Sequence, residues 1–101
     1  MATLVPARRV TVVTEATLEK ILLEELAKLG VHSHTSAHVS GAGRHQLTDD
    51  VMPWHTAIRC EMVVSHEVAD VVLDYLHGGH FKAYPLACWV DDTWIDSRDS
   101  F

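Results

Sequence analysis

A turn built from Gly41, Ala42, Gly43 and Arg44 is the stretch of this chain best suited to bind an anion. Two glycines separated by one residue let the backbone bend sharply and let a ligand approach it closely. The amides of such a turn can form an anion-binding nest, and the arginine adds a planar, permanently charged guanidinium. The sequence therefore predicts a phosphate or carboxylate site at residues 41–44, for which an ordinary surface turn is the alternative.

The histidines indicate a second kind of chemistry. The chain has eight, and His32, His34 and His38 are predicted to share one face of a strand. A His-x-His spacing suits zinc or copper, but no third ligand is evident, because Cys60 and Cys88 stand in apolar runs. We therefore expect no metal site and take solvated or subunit-facing polar residues as the simpler interpretation.

Composition excludes several classes of function. The formal net charge of −6 and the scattering of the eight Lys and Arg residues disfavour a nucleic acid partner. No nucleophile stands beside a base in a recognisable motif and no P-loop is present, so we predict that the protein is not an enzyme.

Residues 1–6 are too short for a signal peptide, no apolar run approaches a membrane span, and the cysteines suit free thiols. These features predict a soluble cytoplasmic protein without membrane insertion.

Hydrophobic periodicity places the candidate site among regular elements. Residues 8–14 are rich in β-branched side chains and are predicted as a strand. Residues 15–29 carry an apolar stripe at helical spacing, with Thr14 as the candidate N-cap and Gly30 at the C′ position. Residues 31–40 are predicted as a second, more polar strand that leads directly into the turn described above.

The second half of the chain repeats this order. Residues 57–64 alternate as a strand with one apolar face, and Ser65 is the predicted N-cap of a helix that runs to about residue 77. Residues 84–90 form a further predicted strand, and a short additional strand is expected around residues 93–95.

The predicted fold is therefore α+β and ferredoxin-like, in the order βαββαβ. Two right-handed crossovers place both helices on one face of a four-stranded antiparallel sheet, in a single domain over residues 1–101 with a flexible segment 1–7. The other face carries Val13, Val63 and Trp89 with no helix to cover it. An uncovered apolar sheet face predicts self-association.

Three segments, in this order, carry a resemblance to a known family. Ser33-His34-Thr35 is followed six residues later by Gly41-Ala42-Gly43-Arg44, residues 58–70 continue a β-strand into a helix, and residues 79–84 read Gly-His-Phe-Lys-Ala-Tyr. Together they resemble the PII signalling superfamily, ferredoxin-like trimers that bind adenine nucleotides between subunits. The last segment is similar to the Tyr-Phe-x-x-Tyr of the PII-like branch exemplified by SbtB and the carboxysome-associated PII proteins. The resemblance covers about residues 8–101.

The resemblance implies a homotrimer with nucleotide in the clefts between subunits. Residues 41–56 would be the T-loop, which engages a partner, and residues 78–84 the B-loop. The residues implied in nucleotide binding are Ser33, Thr35, Gly41, Ala42, Gly43, Arg44, Arg59, Met62, Val63, Val64, Gly79, His80, Phe81 and Arg98. Among them, Arg44 is also the candidate ligand for bicarbonate.

Departures from the family pattern refine the expected ligand. Ser33 replaces the usual glycine, His45 stands where a glutamine is expected, and the T-loop has no tyrosine for uridylylation. The B-loop is short and lacks a basic, glycine-rich phosphate clamp. These departures resemble the branch linked to inorganic carbon uptake, which implies AMP, ADP or cyclic AMP as ligand, with bicarbonate as a second candidate. The implied partner is a membrane transporter of the bicarbonate class or another protein.

Three alternatives stay open at this point. One is a nitrogen-type PII regulator. Another is a CutA-like trimeric protein that binds divalent metals, which the number of histidines motivates. The third is an interaction module whose long loop binds a partner without control by a ligand.

Overall fold

The computed structural model describes residues 2–40, 56–78, 81 and 83–99. The regular elements in these ranges are β1 (Leu4–Glu15), α1 (Glu19–Lys28), β2 (Thr35–Val39), β3 (Ala57–Val64), α2 (His66–His77) and β4 (Leu86–Asp96). A 3-10 turn, Ala16–Leu18, joins β1 to α1. The element order is the predicted βαββαβ.

The four strands form one antiparallel sheet in the order β2-β3-β1-β4. Alternate residues of a strand share a face, and the even-numbered residues of β1 and β3 pack into one core with both helices. The core contains Val10, Val12, Leu22, Leu26, Ile58, Cys60, Met62, Val64, Ala69, Val72, Leu76 and Phe81. The ferredoxin-like prediction is confirmed. In the part of the chain that the structure describes, neither helix is long and apolar enough to cross a membrane.

The ends of the helices agree with the sequence in part. The hydroxyl oxygen of Ser65 accepts a hydrogen bond from the Val68 N–H at 3.2 Å, so the predicted N-cap of α2 is confirmed. Gly30, just past α1, has a φ of 102°, which suits a glycine at this position. The prediction for Thr14 is wrong, because this residue lies in β1 and its Oγ1 donates to the carbonyl of Pro85 at 2.8 Å.

The strand boundaries differ from the prediction where tertiary pairing overrides local sequence. Strand β1 begins at Leu4, so the expectation of a flexible 1–7 is wrong for residues 4–7, which pair with β4. That pairing also makes β4 one continuous strand to Asp96 instead of two pieces. Strand β2 begins only at Thr35, which leaves His32 and His34 outside the strand on which they were predicted to share a face.

The second face of the sheet has no described helix packed on it. It carries the predicted apolar residues Val13, Val63 and Trp89, of which Trp89 is exposed. Two ion pairs share this face: Arg9 with Asp91 at 3.0 Å, and Arg59 with Glu61 at 2.7 Å. We call this surface the open face.

Candidate functional site

The two loops of the predicted site leave the sheet at the same end. Val39 at the end of β2 pairs with Ala57 at the start of β3, and Ala57 in turn pairs with Glu15. Leu86, the first residue of β4, pairs with Thr14 one position away. Residues 41–55 therefore follow β2, and residues 79–85 precede β4, at the same end of the sheet. We call this end the loop end.

Several predicted site residues lie outside the described residues. These are Gly41, Ala42, Gly43, Arg44, Gly79 and His80. Their roles in binding phosphate, and the role of Arg44 toward bicarbonate, stay predictions.

Thr35 and Val63 lie on neighbouring strands of the open face, Thr35 on the edge strand β2 and Val63 on β3. Thr35 begins β2 and is paired with Glu61, two residues before Val63 on β3. Thr35 is exposed and Val63 is half-buried. Ser33 is also exposed and precedes the first residue of β2 by two positions. These residues are placed where a second molecule can reach them.

Met62 and Val64 are placed differently from Val63. Both side chains are buried in the core between the sheet and the helices. A ligand on the surface of this chain therefore reaches only their backbone groups. Their side chains can contribute to a site only by packing in the core and so holding the backbone of β3 in position.

Arg59 is the cation nearest to Thr35 on the open face, since its register partner on β2 is Ala37. Its Nη2 lies 2.7 Å from Oε1 of Glu61, so its charge already has a partner within the chain. The neighbouring Thr11 is fully buried, and its hydroxyl has no hydrogen-bond partner among the described residues. An anion that binds Arg59 must therefore compete with the carboxylate of Glu61.

Phe81 anchors the segment that was predicted as the B-loop. Its ring is buried and lies 5.8 Å from that of Tyr75 on α2, in an edge-to-face arrangement, and 6.2 Å from that of Tyr84. A cavity of about 360 Å³ opens beside it, lined by Leu76, His77, Phe81, Ala83, Tyr84, Pro85 and Leu86. The bond from Thr14 to the Pro85 carbonyl fixes the exit from this segment into β4.

Arg98 lies at the opposite end of the sheet. Its Nε donates to Oδ1 of Asp96 at 2.8 Å, its backbone N–H donates to the same oxygen at 3.0 Å, and its Nη2 contacts Oδ2. These bonds hold the pKa of Asp96 below its ordinary value and raise that of Arg98. The side chain is thus held in place by its own turn.

The length of β4 separates Arg98 from the loop end. The ten residue steps from Leu86 to Asp96 correspond to roughly 34 Å of extended strand. A mononucleotide does not span this distance. Within one chain, Arg98 and the described residues at the loop end, such as Leu86, are therefore too far apart to contact one mononucleotide.

Glu19 is a positioning residue that the sequence analysis did not identify. Its carboxylate accepts a hydrogen bond from Ser36 Oγ at 3.1 Å and lies 3.2 Å from His38 Nε2. The contact ties α1 to β2 just before the chain enters the predicted T-loop. The partners are 17 and 19 residues away in sequence, so no local pattern could have revealed it.

The described residues contain no group of three or more His, Cys, Asp and Glu side chains placed to hold a metal ion. Cys60 and Cys88 both stand opposite Val12, on the side of the sheet that carries the helices. Burial raises the pKa of each thiol to about 11, which keeps both protonated at neutral pH.

Comparison with known proteins gives the family. The family model for nitrogen regulatory protein P-II matches residues 7–97. A protein described as PII-like and signaling, from Thermus thermophilus, is 34% identical, with 92% of this chain and 91% of that chain covered and a TM-score of 0.76. No curated protein sequence gave a match.

More distant solved structures share the fold. CPII from Thiomonas intermedia K12, in a structure bound to ADP and bicarbonate, is 19% identical, with coverage of 97% and 96% of the two chains and a TM-score of 0.80. A structure of CPII bound to ADP, AMP and acetate is 20% identical, with coverage of 92% and 91% and a TM-score of 0.77. The resemblance seen in the sequence is confirmed: this chain belongs to the nitrogen regulatory protein P-II family.

Proposed function

We propose that this chain is a non-enzymatic PII-like signalling protein. It assembles as a homotrimer, binds an adenine nucleotide in the clefts between subunits, and uses residues 41–56 as a T-loop that regulates a partner. AMP or ADP is the proposed ligand, with cyclic AMP as a further candidate and bicarbonate as a second ligand at Arg44.

The observation that carries this proposal is the shared fold with CPII, whose structures hold ADP, AMP and bicarbonate. The 34% identical relative, described as PII-like and signaling, supports the same class of function. The sequence adds Gly41-Ala42-Gly43-Arg44, a pattern predicted to bind phosphate, shortly after β2.

Two features of the described residues support assembly. The open face exposes Trp89 and half-exposes Val13 and Val63, a surface that a second copy would cover. In addition, Arg98 is a candidate phosphate ligand that lies far from the loop end in its own chain. A closed ring of subunits gives each cleft a loop end from one copy and an Arg98 from the next.

A link to inorganic carbon uptake is the more specific part of the proposal. It rests on the missing tyrosine in the T-loop, on the short B-loop and on the bicarbonate held by CPII. The proposed partner is a membrane transporter of the bicarbonate class, or another protein that the T-loop engages. Ligand binding would act by favouring one state of that loop over another.

Isothermal titration of the purified protein with AMP, ADP, ATP and cyclic AMP, each with and without bicarbonate, tests the proposal. We expect saturable binding of about one nucleotide per chain, as a ring with equivalent clefts requires. Tighter nucleotide binding in the presence of bicarbonate would support carbon sensing. Failure of all four nucleotides to bind would refute the sensor function while leaving the family assignment intact.

A further inference from the structure

An exposed apolar strip lies at the end of the sheet opposite the loop end. Trp94 and Leu4 are 63% and 58% exposed, and Pro6 is the register partner of Trp94. Because alternate residues of a strand share a face, these three project on the same face as Arg8, which contacts Asp70 of α2. We call Leu4, Pro6 and Trp94 the terminal platform. Apolar side chains gathered in this way on a rigid strand pair mark a contact surface.

Carboxylates border the terminal platform on both sides. On the same face of β4, Asp92 precedes Trp94 by two residues and Asp96 follows it by two. Asp92 lies beside Arg8, which also contacts Asp70. Arg8 is already bonded to Asp70 at 3.2 Å and lies 3.6 Å from Asp92. Asp92 is the most exposed of these acids, with 83% of its side chain accessible. The border therefore retains negative charge that its own cations do not neutralise.

The neighbouring helix extends the negative surface. Glu67, Asp70 and Asp74 occupy exposed positions of α2, and this helix contains no lysine or arginine. Since the whole chain carries a net charge of −6, an approaching copy of the same surface is repelled. A cationic partner is attracted to it.

The backbone beside the terminal platform adds hydrogen-bond acceptors. Ser97 N–H donates to the carbonyl of Thr3 at 2.8 Å, so the polar groups of Thr3 point toward β4. By the alternation of an antiparallel ladder, the carbonyls of Leu4 and Pro6 point away from β4, where no strand pairs with residues 4–7 in the described ranges. Pro6 has no N–H, which disfavours extension of the sheet by another strand. The edge therefore suits side chains that donate hydrogen bonds.

We propose that the terminal platform is a docking surface for a basic peptide segment of a partner protein. An arginine or lysine of that segment lies on the indole ring of Trp94 and donates to Asp92. Other donors of the segment bind the carbonyls of Leu4 and Pro6, and an adjacent apolar residue covers Leu4. Cation–π contact and charge-assisted hydrogen bonds supply the recognition. This surface lies at the end of the sheet opposite the loop end and does not include the predicted T-loop.

Titration with a short synthetic peptide tests the proposal. The probe is acetyl-Arg-Leu-Arg-Leu-Arg-amide, with the same peptide carrying Glu in place of Arg as the control. We expect the Arg peptide alone to bind the full-length protein, to shift the indole N–H resonance of Trp94, and to weaken as salt is added. The indole resonance is assigned from its absence in Trp94→Phe.

Variants locate the contact. We expect Trp94→Ala to weaken binding about fivefold to tenfold, through loss of the stacked ring. Trp94→Phe should recover most of that loss, and Asp92→Asn should weaken binding about twofold to fivefold, as for an exposed charge pair. Glu24→Gln on the exposed side of α1 is the matched removal of one charge and should leave binding unchanged.

Three outcomes would overturn the proposal. The first is failure of the Arg peptide to bind. The second is equal binding to Trp94→Ala and to the parent, which would mean diffuse attraction to an acidic protein. The third is a change in sedimentation on Trp94→Ala, which would show that a second copy covers the terminal platform. Circular dichroism of each variant, with nucleotide binding as a second check, separates these outcomes from misfolding.

Discussion

Oε1 of Glu19 lies 3.2 Å from Nε2 of His38, so the first turn of α1 is tied to the edge strand of the sheet. The second carboxylate oxygen accepts a hydrogen bond from Ser36 at 3.1 Å. Strand β2 has five residues and, among the described strands, pairs only with β3, so these two contacts add to the backbone ladder that orders it. They hold α1 against the part of β2 that directly precedes residues 40–44.

Glu19→Ala should loosen strand β2 without unfolding the domain. We expect amide hydrogen exchange in β2 to accelerate by about fivefold, because exposed charged and hydrogen-bonded pairs contribute on the order of 1 kcal/mol. Exchange measured residue by residue checks this. Glu24→Ala, which removes an acid from the same helix, should leave β2 unchanged; equal exchange in both variants would contradict the positioning role of Glu19.

Val63→Glu should prevent assembly through the open face. A carboxylate introduced among Val13, Trp89 and the two ion pairs is desolvated without a partner when a second copy covers it, at a cost of several kcal/mol. We expect sedimentation to show a smaller species than the parent. Val71→Glu is the matched control, since Val71 is 47% exposed on α2. A parent protein that is already monomeric would contradict the trimer proposal.

Arg44→Ala should weaken the binding of AMP or ADP by about 1–3 kcal/mol, because hydrogen bonds from a guanidinium to a phosphate are among the stronger ones. Isothermal titration measures the loss. As a control, Lys20→Ala removes one positive charge from an exposed position of α1, and we expect this variant to bind nucleotide with the affinity of the parent. Undiminished affinity in Arg44→Ala would place the phosphate elsewhere.

Mixing two defective variants tests whether the clefts lie between subunits. If Arg44 of one copy and Arg98 of the next share a ligand, trimers formed from equal amounts of Arg44→Ala and Arg98→Ala regain intact clefts. About a quarter of the clefts should bind with parental affinity in a randomly mixed ring. Titration of the refolded mixture, compared with each variant alone, measures this fraction. No recovery would mean that Arg98 does not complete the cleft of a neighbour.

Buried Cys60 and partly buried Cys88 should make the domain less stable at alkaline pH. Burial raises the pKa of Cys60 and of Cys88 to about 11, whereas a thiol in the unfolded chain ionises near about 8.5. The unfolded state therefore loses protons first, so this contribution is complete below about pH 8.5 and declines as the pH rises toward about 11. We expect a loss on the order of 1 kcal/mol per thiol between about pH 8 and about pH 10.

Urea unfolding at the two pH values measures this loss. Cys88→Ala should make the pH dependence shallower, whatever its effect on the absolute stability. An unchanged slope in that variant would mean that Cys88 does not contribute. Rapid reaction of both thiols with a water-soluble thiol reagent at neutral pH would show that neither is protected.

Periodicity within the sequence determined the element order and the faces. The alternation of Ile58, Cys60, Met62 and Val64 identifies the core side of β3, because side chains in a strand alternate regardless of what packs on them. The cap at Ser65 was predictable for a similar reason, since a hydroxyl that accepts from an N–H three residues later is a local interaction.

Contacts between distant segments decided what the sequence left open. The ladder with β4 made residues 4–7 a strand despite Pro6, whose missing N–H faces away from that ladder. Thr14 became a strand residue because its backbone pairs with Ile58 of β3 and Leu86 of β4. Glu19 acquired its partners only when α1 packed beside β2. Local pattern specifies each element, but strand ends and polar partners depend on which distant backbone or side chain the fold brings near, and this only the tertiary structure determines.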